Sequence, residues 1–311
     1  MKKIALIKSK NGIWKSFENI LLQKNYNVKV LDPFLANDLE IILNNKWDAL
    51  IWSAKHNPKI KKLAKKIIYL FDEEVKIDVY PNYNSYWHYD DKVAQFYLFT
   101  QYDFPIPNTK VFYNKKDAFN FFEKTEYPLI FKSAEGAGST NVSIINSKMI
   151  AKYKVRKIFG KGAKTFFRGE AQKGYLLIQE FEKNNLGDYR LVCYGDEILG
   201  FFRDNREDEP LASGSRKFTF KEIPEDLLNL VYQCSCKLNY KVMSYDIIKN
   251  TNGEWVITEI SVIYGDIKDD VYNKAPVYKR TKDNNWERVV SPGNHFERVA
   301  TYIINSWSNR G

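Results

Sequence analysis

Two carboxylates stand at matching places in consecutive apolar stretches. Asp246 lies in Val242–Ile248 and Glu259 in Trp255–Ile260, and the Asn250–Gly253 link carries an Asn-Gly turn signal. In a hairpin the two would face each other and repel unless positive charge sat between them. A hard divalent cation bridging phosphate groups is one occupant, and an ion pair with a basic neighbour is the other. Upstream, Asp188-Tyr189-Arg190 and Phe201-Phe202-Arg203 flank a Gly195-Asp196 turn. Such a hairpin lets both arginines share a face, where two guanidiniums can stabilise a transferring phosphoryl group. Screened surface arginines are the plainer alternative. Phe131-Lys132 precedes a small-residue loop, Gly136-Ala137-Gly138-Ser139. Backbone N–H groups of such a loop can approach phosphates, and the lysine adds a cation. Gly-rich hairpins are common, however, and this one is neither a Walker loop nor a dinucleotide fingerprint. Finally, the apolar strand Leu177-Ile178 ends in Gln179-Glu180-Phe181. It suits an adenine ring and a ribose, or is simply an edge strand entering a solvated turn.

These residues need elements to hold them. The first eighty residues alternate short apolar runs (Lys3–Ile7, Asn27–Leu31, Ala49–Trp52, Val79–Tyr80) with helical periodicities, which predicts a small parallel sheet flanked by helices. Lys59–Lys66 (KIKKLAKK) reads as a surface helix with a solvated basic face. Beyond Asp91 come a helix over Asp91–Tyr102, an extended Thr109–Tyr113 and a helix over Lys115–Lys124. The strands Leu129–Lys132 and Val142–Ile145 then form a hairpin, and Tyr175–Phe181 is a further strand. The last part holds the two hairpins named above, a helix over Pro224–Leu238, a loop-rich segment from Tyr264 to Pro292 and a closing helix, His295–Ser306. Three lobes follow: 1–90, 91–182 and 183–311.

Composition sets the outer bounds. With 311 residues, 44% hydrophobic and 28% charged, the chain is globular and long enough for several lobes. Lys+Arg is 48 against 38 Asp+Glu, and the resulting +10 fits an anionic partner without choosing one. Cys193, Cys234 and Cys236 have neither disulfide-framework nor zinc spacing, and core packing is expected for them. The opening MKKIALIKSK starts a strand rather than a signal peptide. No stretch reaches the ~20 apolar residues of a membrane helix, so a cytoplasmic location is expected.

The order of the motifs is more specific than any one of them. From about Pro81 to Ser261 they run Pro81-Asn82, Asp91-Lys92, Pro105–Thr109, Pro128–Lys132, the Gly136–Ser139 loop, Gln179–Phe181, Asp188–Arg190, Phe202-Arg203, Ser213–Ser215 and the Asp246…Glu259 pair. In this order the sequence resembles the ATP-grasp superfamily, the group of glutathione synthetase, D-alanine–D-alanine ligase and ligases that add amino acids to protein or peptide carboxylates. The resemblance implies an α/β (α+β) ATP-grasp fold, with a parallel N-terminal lobe before central and C-terminal lobes. It implies ATP and Mg²⁺, with Mn²⁺ an acceptable substitute. Lys92 and Lys132 resemble the lysines that hold the nucleotide phosphates, and Gly136, Ala137, Gly138 and Ser139 the lid over them. Gln179, Glu180 and Phe181 resemble the hinge that meets adenine, with backbone contacts at Glu180 and Phe181. Asp188 would meet the ribose or position Arg190. Arg203, with Arg190, resembles the arginine at the transferring phosphate, and Lys217 adds a cation near the reaction centre. Asp246 and Glu259 resemble the metal ligands.

One position departs from the pattern. The last metal strand usually reads Glu-x-Asn and here reads Glu259-Ile260-Ser261. A serine oxygen at Ser261 is a shorter and weaker ligand. The implied reaction is ATP-dependent carboxylate–amine ligation through an acyl phosphate. The acid would be a sugar acid, a small acid or a peptide, with small-molecule and glycan acids slightly favoured. The alternatives are an ATP-binding module with weakened catalysis and, behind it, a nucleic-acid-binding protein, for which no motif speaks. A homodimer is left possible.

Overall fold

The structure is a computed structural model that describes residues 1–9, 13–133, 142–165, 167, 169–183, 185–207, 212, 214–265 and 269–308. The first lobe is the predicted parallel sheet. Strands β1 (Lys3–Ile7), β2 (Asn27–Leu31), β3 (Ala49–Ile51) and β4 (Asp78–Tyr80) lie in the order β2-β1-β3-β4. Helices α1 (Ile13–Gln23), α2 (Ala36–Asn44) and α3 (Pro58–Tyr69) make the crossovers. Asn57 caps α3 by accepting from the Lys59 N–H, and Pro58 fits the first helical position. The fully solvated basic face expected for α3 needs correction: Lys61 is buried, 3% exposed. A short helix, α4 (Tyr83–Tyr86), leads into α5 (Lys92–Gln101), whose cap is the Asp91 side chain on the Val93 and Ala94 N–H groups.

The second sheet is antiparallel and carries its own core. It has strands β5 (Thr109–Phe112), β6 (Leu129–Lys132), β7 (Val142–Ile145) and β10 (Leu176–Glu180) in the order β5-β10-β6-β7. Between β7 and β10 run α7 (Lys148–Phe159) and the small ribbon β8 (Ala163–Lys164) with β9 (Ala171–Gln172). Phe131 and Ile178 pack against Phe122 of α6 (Lys115–Lys124) and Val155 of α7. Helix α7 was not expected, although Ser147 caps it and Ala151, Val155 and Ile158 recur at helical spacing. Lys132 and Leu177, side by side in the ladder, point to the other face.

The third sheet is the largest. β11 (Gly187–Tyr194), β12 (Glu197–Asp204), β14 (Val242–Lys249), β15 (Trp255–Ser261), β16 (Val277–Arg280) and β17 (Trp286–Arg288) run in the order β15-β14-β11-β12-β16-β17, with β13 (Phe218–Thr219) beside β12. Helix α8 (Glu225–Leu238) buries Leu227, Val231 and Leu238 against it and ends at a left-handed Asn239. The segment expected to be loop from Tyr264 to Pro292 contains α9 (Asp269–Lys274), β16 and β17. Its order comes from partners distant in sequence, because β16 completes the sheet by pairing with β12. Helix α10 (His295–Ser308) returns to the first lobe, where Lys24 Nζ donates to Asn305 Oδ1 (3.0 Å). First and third sheets therefore share one core, in which Leu6 and Ile7 belong to the same cluster as Tyr245, Ile303 and Trp307. Cys193 and Cys234 are buried as expected, but Cys236 is exposed.

Candidate active site

The ladder of the third sheet lines up the ionic residues. Asp188 pairs with Arg203 across β11–β12, Arg190 with Asp246 across β11–β14, and Asp246 with Glu259 across β14–β15. Cross-strand partners share a face, as do Asp188 and Arg190 two residues apart, so all five side chains project from one side. The register shifts between Asp246 and Ile247, and the Thr258 hydroxyl donates to the Asp246 carbonyl (3.0 Å) at that irregularity. Such bulges re-aim neighbouring side chains, here Glu259.

Charge alternates along this face. Arg190 donates through Nε and Nη2 to both oxygens of Asp246, each at 2.8 Å. Arg203 grips Asp188 the same way, at 2.6 and 2.7 Å, and its Nη2 also reaches Asp246 Oδ2 at 2.7 Å. Burial alone would raise the Asp246 pKa, but the two guanidiniums outweigh it and hold the carboxyl well below the usual range. Positive charge beside the facing carboxylates is thus supplied by the protein itself, by the two arginines at Asp246 and by Lys92 at Glu259. Asp188, expected to meet a ribose or to position Arg190, makes its hydrogen bonds to Arg203.

Lys92 arrives from α5. Its Nζ lies 3.4 Å from Glu259 Oε1 and 4.0 Å from Asp90 Oδ1. Burial would lower its pKa, but Glu259 and Asp90 reverse the sign and raise it. Lys132 enters from β6, across the cleft. Burial pushes it down to about 8, with Lys92 acting in the same direction and Glu259 opposing. Lys92, Lys132, Gln179, Leu177, Ile106 and Thr258 line one narrow cleft between the second and third sheets. Five cations (Lys61, Lys92, Lys132, Arg190, Arg203) therefore accompany four carboxylates (Asp90, Asp188, Asp246, Glu259), leaving positive charge for an anion.

The remaining expected residues divide. Gln179 sits at the cleft, its amide donating to Thr109 Oγ1 (3.0 Å). The Glu180 N–H donates to Asn108 O (2.9 Å). Lys217 is not drawn into the cluster, since its ammonium is exposed and pairs with Glu207 (2.8 Å). Gly136, Ala137, Gly138 and Ser139 lie outside the described residues, as does Ser213. Ser261 pairs with Ser244 next to the Asp246–Glu259 pair, and its hydroxyl donates to Ile263 O.

The donor set fits a hard divalent cation in part. Asp246 Oδ1 accepts one hydrogen bond and Oδ2 two, so Oδ1 keeps ligating capacity. The Glu259 side chain is 31% exposed, and the Ser261 oxygen keeps its lone pairs while donating. Among the described residues no group of three or more His, Cys, Asp or Glu could hold a metal, so further ligands would have to come from phosphates and water.

Sequence reasoning missed three contributors. Gln95 of α5 donates to Ile260 O (2.9 Å) and accepts from the Ile260 N–H (3.1 Å), clamping β15 beside Glu259. Asp90 backs Lys92. Tyr272 of α9 is fully buried and stacked on His295 (5.3 Å between rings), with Arg190 nearby. Burial raises that phenol, while nearby Arg190 acts in the opposite direction. Gln95 and Asp90 bracket the Asp91-Lys92 motif, and this proximity was the only available signal.

The architecture of three sheets with a cationic cleft between the last two is the ATP-grasp fold. No family model matches the chain. It is 22% identical over 213 residues to the alpha-aminoadipate–LysW ligase LysX of Saccharolobus solfataricus, covering 67% of this chain and 70% of the relative. Among solved structures it is similar to the ATP-grasp ligase PsnB complexed with minimal precursor, Mg and ADP (TM-score 0.64, 11% identity, 99% of this chain and 98% of that one). It is also similar to a Chryseobacterium gregarium RiPP-associated ATP-grasp ligase in complex with ADP and a leader and core peptide (TM-score 0.61, 13% identity, 100% and 98%). Among the described residues no helix is long and apolar enough to cross a membrane.

Proposed function

We propose that this chain is an ATP-dependent carboxylate–amine ligase that forms an amide through an acyl phosphate. The convergence of Arg190, Arg203, Lys92 and Lys132 on Asp246 and Glu259, at a cleft between two sheets, carries the reading.

ATP lies in the cleft, its phosphates toward Lys92 and Lys132. The substrate carboxylate attacks the γ-phosphorus and the bond to the β-phosphate oxygen breaks, giving ADP. An amine then attacks the acyl carbon, phosphate leaves, and the amine gives up a proton. Arg203 neutralises the transferring group, with Asp188 holding its guanidinium in plane. Arg190 fixes Asp246. Catalysis is positioning and electrostatics, because these dipoles and charges are already in place before the reactants arrive. Asp246 and Glu259, with the Ser261 oxygen as a weaker ligand, would hold Mg²⁺, which would offset the charge of the phosphates.

Solved structures with this fold that span nearly the whole chain include complexes with a precursor peptide and with a leader and core peptide. This moves the preferred acid from a glycan or small acid to a peptide-borne carboxylate. A phosphate-release screen with Mg-ATP, amines, and peptide, sugar and small acids tests the reading. Release that requires both an acid and an amine, and that disappears in Asp246→Ala and Glu259→Ala, is expected. Nucleotide binding with no release from any pair would instead support a binding module, the alternative raised by Ser261.

A further inference from the structure

Lys61 is the anomaly on α3. Neighbouring Lys59, Lys62 and Lys66 are exposed, yet Lys61 is 3% exposed and Asp90, its partner, 4%. Its Nζ donates to Asp90 Oδ2 (3.1 Å) and to the Asp90 carbonyl (3.0 Å). Desolvating two charges is expensive, and a buried ion pair often stabilises a fold no better than two apolar side chains would. Asp90 also holds a left-handed backbone, φ 50°, uncommon for a residue with a Cβ. Both features suggest a task other than stability.

The geometry names that task. Asp90 uses its two oxygens in two directions, Oδ2 toward Lys61 and Oδ1 toward Lys92. Lys92 opens α5, where the helix dipole disfavours a cation. It is held there between Asp90 behind and Glu259 in front. Without Asp90, only Glu259 among these partners would direct the ammonium, and Glu259 is a candidate ligand that must turn to a cation. We propose that the buried Lys61–Asp90 pair is a positioning device that holds Lys92 in place for the nucleotide phosphates, independently of Glu259. The pair also ties α3 of the first lobe to the nucleotide site. The proposal rests on the cleft being that site.

Removing one partner strands a buried charge, so single variants confound folding with function. The informative protein is Lys61→Met/Asp90→Asn, which removes both charges. Binding of Mg-ADP is measured by calorimetry beside thermal unfolding, and KM for ATP and kcat are measured where turnover is found. The expected result is a Tm near wild type with ADP affinity reduced about tenfold or more, the usual effect of removing a residue that orients a binding group. KM should rise more than kcat falls. Lys62→Met, on the exposed side of α3, should bind as wild type does. Wild-type affinity in the double variant overturns the proposal. If that variant does not fold, Asp90→Glu keeps the charge but displaces it, and unchanged affinity there is equally fatal. Wild-type protein that fails to bind Mg-ADP removes both the nucleotide site and this inference, whereas wild-type binding with an unaffected variant removes the inference alone.

Discussion

Arg203 and Asp188 are both buried and joined by two short hydrogen bonds, so truncating either leaves a charge without a partner. Arg203→Met should destabilise the chain by about 3–5 kcal/mol in urea unfolding, because Asp188 stays buried and Asp246 loses one of its two arginines. Lys132 carries the clearest pH signature. Its folded pKa, about 8, lies below the ordinary lysine value, so the free site loses this cation as pH rises through 8. kcat/KM for ATP should therefore fall above pH 8, and Lys132→Met should start low and lack that step. The stability sign is opposite: a lysine with a depressed folded pKa destabilises the fold where it is charged, and that penalty is relieved between pH 8 and its ordinary range. Asp246, Glu259, Arg190 and Arg203 were legible in the sequence because a hairpin turn fixes which residues face each other. Lys61 was not, because amphipathic spacing assigns a lysine to water and only the folded Asp90 reverses that. The occupation of Asp246 by arginine was open in the sequence, since two residue types opposite each other do not say which pairs form.

The element that fixes Glu259 is α5 rather than the hairpin alone. Gln95 makes two hydrogen bonds to the Ile260 backbone, both buried. Gln95→Leu keeps the volume and leaves a buried N–H and C=O unpaired, so a loss of about 1–3 kcal/mol is expected in chemical denaturation. Nucleotide affinity should weaken with it, as β15 is freed beside Glu259. The strong hairpins β11–β12 and β14–β15 could be read from Gly195-Asp196 and Asn250–Gly253, since turn chemistry is local. Helices α5, α6, α8 and α10 were legible for the same reason, each from a local cap or an apolar stripe. The segment from Tyr264 to Pro292 was not, because β16 is ordered by pairing with β12 and α9 by burying Tyr272 against Phe201, some seventy residues earlier in the chain. Short elements of this kind carry little local preference and take their form from partners already in place.

Across the whole molecule, the first and third sheets share one core and the second sheet keeps another. All seven tryptophans lie at 14, 47, 52, 87, 255, 286 and 307, outside the second sheet and its helices. Their fluorescence therefore reports the shared core, whereas far-UV circular dichroism reports both. The smaller core should open first, so in the ligand-free chain dichroism should begin to fall at lower urea than fluorescence. Saturating Mg-ADP, bound between the sheets, should bring the two transitions together. Coincident transitions without nucleotide would count against separate cores. The central chemical claim is an acyl phosphate made at the cationic cleft, and hydroxylamine traps such an intermediate as a hydroxamate. The most direct measurement is incubation of the chain with Mg-ATP, an acid active in the phosphate-release screen and hydroxylamine, with the products quantified by mass spectrometry. The account predicts equal amounts of hydroxamate, ADP and phosphate, and none with Asp246→Ala; hydroxamate formed with AMP and pyrophosphate, or ADP formed without hydroxamate, would contradict it.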